Sequence, residues 1–534
     1  MRLYQQFRAS ISRSAMLGAG VLLFASGISV SAFGQTQVAS ATGPAGVLAR
    51  QDPAMPAGTP VSIEEAVRMA LENNLGIQIE KLNPQIQVLG VTQARAVYTP
   101  FLLTGLSRGS STSPPTDFTT SGSQEISTSA SFGSNGGVQQ QLKWGGNYSV
   151  VFDGSRASTN AIDSTFNPRL DSGLDASFNQ PLLRDFKIDA NRQRVLLAKN
   201  QLQAADLQLQ QRLTQTGRSV RAAYYALVGA IAGLEVAQES LNLSRTSLKN
   251  NQTRVEVGTM APIDIVTAEA EVASNEENVI IQQGRIESAQ DQLRTLIKNP
   301  SQPDFWSARF SPSEQPVLTA RVIDIDGAIK NALATRTDLL SFKKQMESTD
   351  ISLRYAANQK LPAIDLNARY GLAGRAGTKF SQDPTIPPTI RSFSGALRDV
   401  FANEFKTWSF SLDVTYPIGT SPADAAYAQA KLQQQQEHTS LASLEMQVTT
   451  AVREAGRQVN TNLKRVEATR KARDLAQQRL DAENKRFTDG LSSTFELLQA
   501  QRDLSRAKQS ELNATIDYNL SLIDFEAVQI APIR

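Results

Sequence analysis

The sequence predicts a mainly α-helical chain that also carries a transmembrane β part, built twice from one plan. Three observations predict this. Long stretches repeat apolar or small residues in steps of three and four, the spacing of a heptad seam. Two separate blocks switch to a period of two, the spacing of strands. The order short helix, strand block, paired long helices occurs once in each half of the 534 residues.

The chain opens on a targeting pattern. Arg2, Arg8 and Arg13 form a positive region ahead of an apolar run from Ala15 to Val30, and Ala32-Phe33-Gly34 supplies small residues at cleavage spacing. Residues 1–34 therefore read as a secretory signal, because the run falls short of the ~20 residues a spanning helix needs. Residues 35–60 are a low-complexity segment. The whole chain carries a net charge of +3, and losing three arginines with the signal leaves it neutral. A neutral chain offers no electrostatic basis for binding nucleic acid. Cysteine is absent, which excludes disulfides and a lipid-bearing cysteine. No later stretch reaches ~18 consecutive apolar residues, so a membrane-embedded form of this chain has to be a β-barrel.

The duplication is visible residue by residue. Ser62-Ile63-Glu64-Glu65-Ala66-Val67 matches Asp324-Ile325-Asp326-Gly327-Ala328-Ile329 at an offset of 262, and the match continues to Pro100 and Pro362. Gln180-Pro181-Leu182 matches Tyr416-Pro417-Ile418. Arg254 to Gly258 matches Arg486 to Gly490. The first repeat spans residues 61–300, with strands in 101–185 and a helical hairpin in 188–298. A linker covers 301–321. The second repeat spans 322–530, with strands in 363–418 and a hairpin in 423–526.

Within each repeat the elements follow in order. Ser62 is an N-cap with Glu65 three residues on, a capping box, and Asp324 takes the same place in the second half. The strand blocks alternate small or polar residues with apolar ones. Trp408-Ser409-Phe410-Ser411-Leu412-Asp413-Val414-Thr415-Tyr416 does so almost without fault, which is the pattern of a barrel strand with a lipid face and a lumen face. Ser110–Ser123 and Ala373–Pro388, polar and rich in Gly or Pro, read as loops. The seam Val220, Ala223, Leu227, Ala230, Leu234, Ala237, Leu241 alternates large and small side chains, so neighbouring helices can approach closely. A helix from about Asn191 to Val257 is roughly 100 Å long. Gly258 and Gly490 end the first helix of each hairpin, Pro262 opens the next in one half, and Ser493 with Glu496 caps it in the other.

Strands of this extent supply about one hairpin per half. The smallest transmembrane barrels need about eight strands, and open edges are not tolerated in lipid. An oligomer sharing one barrel resolves both constraints. Each strand block begins and ends next to helices, so its strand count is even. Residues 124–154 are read three ways: an external extension, an added hairpin, or part of the regular pair.

Several of these segments carry a family resemblance. Ile63-Glu64-Glu65-Ala66-Val67, Gln180-Pro181-Leu182-Leu183 and the tip sequences Arg254…Val257-Gly258…Asp264-Ile265-Val266 and Phe487…Gly490-Leu491…Glu496-Leu497-Leu498 resemble TolC-like outer-membrane efflux proteins over about residues 60–530. The resemblance implies a homotrimer with a shared barrel in outer-membrane lipid and a helical barrel across the periplasm. It also implies a periplasmic adaptor and an inner-membrane pump as partners. The function it implies is that of an exit channel for efflux or type I secretion.

The same resemblance nominates sites. Asp264 and Glu496 lie where the family places acids at the periplasmic gate, and Gln499 stands where a further acid is expected. Phe487 stands where a tyrosine often helps hold the gate, and it lacks the hydroxyl. Glu496 reads as a gate acid and also as a plain capping-box residue. Val257, Gly258, Thr259, Asp489, Gly490 and Leu491 are candidate adaptor contacts, the glycines being equally required by the turns. With no cysteine and a single histidine, His438, the parts of zinc sites and of Cys-His or Ser-His nucleophiles are missing. No cofactor and no enzymatic activity are expected. A periplasmic coiled-coil adaptor or scaffold is the alternative reading. It accounts for the helices and leaves the strand blocks unexplained.

Overall fold

The computed structural model describes residues 58–114, 126–316, 321–381, 383 and 385–529. The expected signal and nearly all of the low-complexity segment lie outside these residues. In chain order the elements are β1 (Thr59–Val61), α1 (Ile63–Asn73), α2 (Leu75–Ala96), β2 (Phe101–Ser113), β3 (Ser127–Gln141), β4 (Asn147–Thr159), β5 (Phe166–Pro181), α3 (Ala190–Glu256) and α4 (Ile263–Ile297). They continue as β6 (Phe310–Pro312), α5 (Ile325–Thr335), α6 (Thr337–Gln359), β7 (Ala363–Lys379), β8 (Thr389–Arg391), α7 (Phe393–Phe401), β9 (Phe405–Thr415), α8 (Pro422–Thr488) and α9 (Thr494–Gln529).

The opening helix of each half is broken at the same relative position. Asn74 leaves helical geometry, ends α1, and accepts from the Ile77 amide to start α2. Arg336, 262 residues on, leaves helical geometry at the same place between α5 and α6, without a side-chain cap. Ser62 accepts from the Glu65 amide at 3.2 Å, but the Glu65 carboxylate turns to Arg68, so only half of the expected capping box forms. Asp324 accepts from the Gly327 amide at 2.9 Å, the cap expected there.

The long helices α3 and α8 have 67 residues each, about 100 Å of helix. α3 packs against α1, α2, α4, α6 and α9, and α8 against α5, α6 and α9. The seam works as its spacing requires: Val220, Tyr224, Leu227 and Leu234 are buried with Ile286, Leu293 and Ile297 of α4. Fully burying each such side chain contributes about 1.5–3 kcal/mol. Tyr224 also ties the start of the first repeat to the linker, donating to the Val61 carbonyl and accepting from the Glu314 amide, both at 3.1 Å. A second core forms around Val448, Val452, Val459, Ala514, Tyr518 and Phe525. One 18-residue window of α3 is apolar enough for a membrane span by composition, and 44% of it is buried among these helices.

The strands form one antiparallel sheet in the order β2-β3-β4-β5-β7-β9, with the short β8 pairing the outer end of β7. The first half thus supplies four long strands where about one hairpin was expected. The reason is that β3 and β4, which take up the described part of residues 124–154, form a hairpin paired on both sides, β3 to β2 and β4 to β5. Two stretches read as loops are also partly strand. Ser110–Ser113 pairs with Ser127–Ala130, and Ala373–Lys379 extends β7, because Gly and Ser rows are small enough to ladder there.

Register keeps side chains of one parity on one face. Tyr148, Phe178, Ala368 and Phe410 line up across four strands, as do Phe152, Leu174 and Leu372. On the side of the sheet nearer the helices this even-numbered face is apolar and open, with Trp408 72% exposed and Leu102 78% exposed, whereas farther out Gly154 and Gly374 face Phe393 and Ala396, and Ser172 and Ala376 are buried. The odd-numbered face is polar and is tied across strands: Asp171 to Arg375 and Asp175 to Arg369 at 2.7 Å, and Asn367 to Asp413 at 2.6 Å. A cavity of about 780 Å³ lies along it beside Asp171, Asp175, Arg369, Arg375 and Ser409. Helix α7 was not foreseen. It lies between β8 and β9 against β5 and β7, burying Ala396, Asp399 and Val400, with Arg391 on Asp399 at 2.7 Å.

Candidate functional site: the paired hairpin tips

Each long hairpin turns on a glycine in the left-handed region. Gly258 has φ +79° and Gly490 has φ +73°. At the first tip, Val257, Gly258 and Thr259 donate back to the carbonyls of Thr253, Val255 and Arg254, closing α3. Pro262 then starts α4 with no side-chain cap, and Asp264 sits in its first turn. Among the described residues the Asp264 carboxylate has no hydrogen bond or ion pair.

At the second tip, Asp489, Gly490 and Leu491 donate to Lys485, Phe487 and Arg486, closing α8. Ser493 accepts from the Glu496 amide at 3.3 Å, and Glu496 accepts from the Ser493 amide at 3.1 Å, a complete capping box. Ser492 gives its hydroxyl to Glu496 at 2.9 Å and also contacts the nearly buried Glu483, which Arg486 reaches at 3.2 Å. The Ser493 amide, then the Ser492 hydroxyl, hold the Glu496 carboxyl below the usual glutamate range. Gln499 donates to Asp503 at 2.8 Å, and Arg479 pairs with the same carboxylate at 2.9 Å.

The two tips of the chain are joined through Phe487. Its ring is buried with Leu480, Leu497, Ala500 and Leu504, and Met260 of the first tip packs against this cluster. Arg254 of the first tip lies over the ring, 4.3 Å from its centre, and donates to the Phe487 carbonyl at 3.2 Å. A cation over an aromatic face is attracted by the ring's charge distribution. Further up, Arg502 of α9 bonds Glu271 of α4 at 2.9 Å. Asn251 is fully buried beneath the tips, and neither of its side-chain amide atoms has a partner.

Of the sequence-derived candidates, the structure thus brings Phe487 against the opposite tip and turns Glu496 toward its own turn. Arg254, Glu483, Ser492 and the pair Arg502–Glu271 were not singled out from sequence. The one available signal was Arg254 standing four residues before Gly258, as Arg486 stands before Gly490. The outermost apolar side chains, Val257, Ile263, Leu491 and Phe495, are exposed, Leu491 by 70%.

A family model described as outer membrane efflux protein matches residues 66–298 and 328–527, most of the chain. The chain belongs to the outer membrane efflux protein family. Members of this family sit in the outer membrane with a helical part in the periplasm, and they serve transport. Outer membrane protein TolC of Escherichia coli is 23% identical over 307 residues, which cover 57% of this chain and 59% of TolC. The solvent efflux pump outer membrane protein SrpC of Pseudomonas putida is 22% identical, over 67% of this chain and 71% of SrpC. Among solved structures, VceC of Vibrio cholerae has a TM-score of 0.61 at 16% identity, covering 88% of this chain and 96% of VceC. The CmeC outer membrane channel of Campylobacter jejuni has a TM-score of 0.62 at 15% identity, covering 87% and 85%. These structures share the fold.

Proposed function

We propose that three copies of the chain form the exit duct of a tripartite efflux or type I secretion assembly. The duct is a passive conduit that receives cargo from a periplasmic adaptor and an inner-membrane pump. The observation that carries this reading is that one chain holds both an amphipathic six-strand sheet and helices about 100 Å long. The sheet suits a bilayer and the helices suit a path away from it.

Two features support association with further copies. Leu75, Ile79, Leu82, Ile86 and Leu89 form a heptad stripe along α2 that the described residues leave largely exposed, with Ile79 68% exposed. Exposed apolar stripes of this regularity mark association surfaces. The 262-residue offset and the matched breaks at Asn74 and Arg336 support an ancestral duplication, so that a trimer has six near-equivalent hairpins. In this reading Asp264, Glu496, Gln499 and Phe487 belong to the periplasmic gate, with Glu496 both capping α9 and lending negative charge to the opening. Val257, Gly258, Thr259, Asp489, Gly490 and Leu491 meet the adaptor, and the exposed apolar tips favour such a contact. The chain performs no catalysis in this role.

The test is single-channel recording on the purified full-length protein in a planar bilayer. Discrete conductance steps are expected, with Glu496→Ala shifting the cation preference or the closed fraction. A protein that does not insert and stays monomeric in detergent-free buffer would overturn the reading in favour of a soluble scaffold.

A further inference from the structure

The sheet has two free edges, and their directions settle how it can close. β2 starts where α2 ends and runs away from the helices, and β9 runs back and leads into α8. Counting along the sheet, the strands alternate in direction through β2, β3, β4, β5, β7 and β9. The first and last strands are therefore antiparallel, and β9 of one copy can pair with β2 of the next without inverting either chain. The faces agree as well. Leu102 and Leu106 on β2 share the apolar face with Phe410, Leu412 and Val414 on β9. Both edge strands are exposed over almost their whole length, and each is paired on one side only.

We infer that the shared barrel has eighteen strands, six from each of three chains, and that the hairpin β3–β4 is part of its wall. This rests on the trimer of the preceding section and adds the strand count and the closing edges. The hairpin qualifies as wall on its own pattern. Tyr148, Val150 and Phe152 alternate with Ser149, Val151 and Asp153, and both its strands are laddered over eleven residues or more. The β3 part of its inner face, Ser129, Ser131, Gly133 and Asn135, is small and uncharged, Asp153 of β4 lies on the same face, and the cross-strand ion pairs join β5 and β7.

Size is the consequence. With strands about 4.8 Å apart and tilted by about 40°, eighteen strands give a backbone diameter of about 36 Å. Twelve strands, one hairpin per half, would give about 24 Å under the same assumptions. Barrels of 16–18 strands leave an aqueous channel. The outer-membrane segment then passes bulky polar solutes, and sieving falls to the periplasmic tips.

The chain has no cysteine, so introduced thiols are unique. The full-length protein, extracted from outer membranes, would carry Thr104→Cys on β2 together with Cys at Phe410, Leu412 or Val414 on β9. Oxidation is expected to give covalent trimers on a denaturing gel for at least one pair. Separately, a fluorophore at Val150→Cys is expected to respond to a lipid-borne quencher, and one at Val151→Cys to aqueous iodide. A native mass of three chains with no cross-link at any pair would overturn the closing edges. Iodide quenching at both positions would remove β3–β4 from the wall and the eighteen-strand count with it. A native mass of one chain would sink the trimer itself, a different failure.

Discussion

Phe487 has no hydroxyl with which to hold the opposite tip, and Arg254 makes the connection instead, through the ring face and the backbone carbonyl. Arg254→Ala removes a cation–π contact of about 0.5–1 kcal/mol together with one hydrogen bond. Raised leak conductance in the nominally closed channel is expected, with Arg254→Lys between the two, since an ammonium lacks the planar fork. Unchanged closure in both variants would count against the contact as a latch. Glu496 gives a pH dependence with a definite sign. Its folded-state pKa is depressed, so its contribution is present at neutral pH and is lost as pH falls through the folded value, below the glutamate range. Hydrogen exchange of the first amides of α9, corrected for intrinsic rate, should show protection flat from pH 7 to pH 5 and falling below that. Glu496→Gln should remove that acid-dependent part.

At the scale of elements, the turns depend on glycine for backbone reasons alone. A side chain at Gly258 or Gly490 would meet nothing within 4 Å, yet φ is +79° and +73°. Gly490→Ala therefore costs about 1–2 kcal/mol through the left-handed backbone, and Gly490→Asn less. Thermal unfolding of the two variants checks the order. If Gly490→Asn keeps the fold but loses export, the missing side chain matters to the adaptor and not merely to the turn. The long helices and their turns were legible because size alternation, Gly258 and Gly490 are local signals. The break at Asn74 was not, since the apolar period runs on across it and the nearby Gly76 lies inside the following helix. The alternation in β3 and β4 identified strands, but the number of strands in the wall depends on pairing partners more than a hundred residues apart, such as β5 with β7. The apolar residues of α7, Phe393, Ala396, Leu397, Val400 and Phe401, do stand at helical spacing, but over only nine residues inside a strand block. The tip contact of Arg254 joins residues 233 apart in sequence, so spacing could reveal the turns but not what holds them together.

For the molecule as a whole, the stripe on α2 and the two sheet edges share one physical problem. Each is apolar surface or unpaired backbone that a single copy leaves uncovered. Charging the stripe with Ile79→Asp and Ile86→Asp should weaken association while sparing the fold, because both side chains are largely exposed in the single chain. Circular dichroism would confirm retained helix, and loss of the oligomer would appear by light scattering in detergent. The measurement closest to the central claim is the native mass of the wild-type protein taken from outer membranes. Three chains released only with detergent are expected. A single chain recovered from the detergent-free soluble fraction would contradict the account.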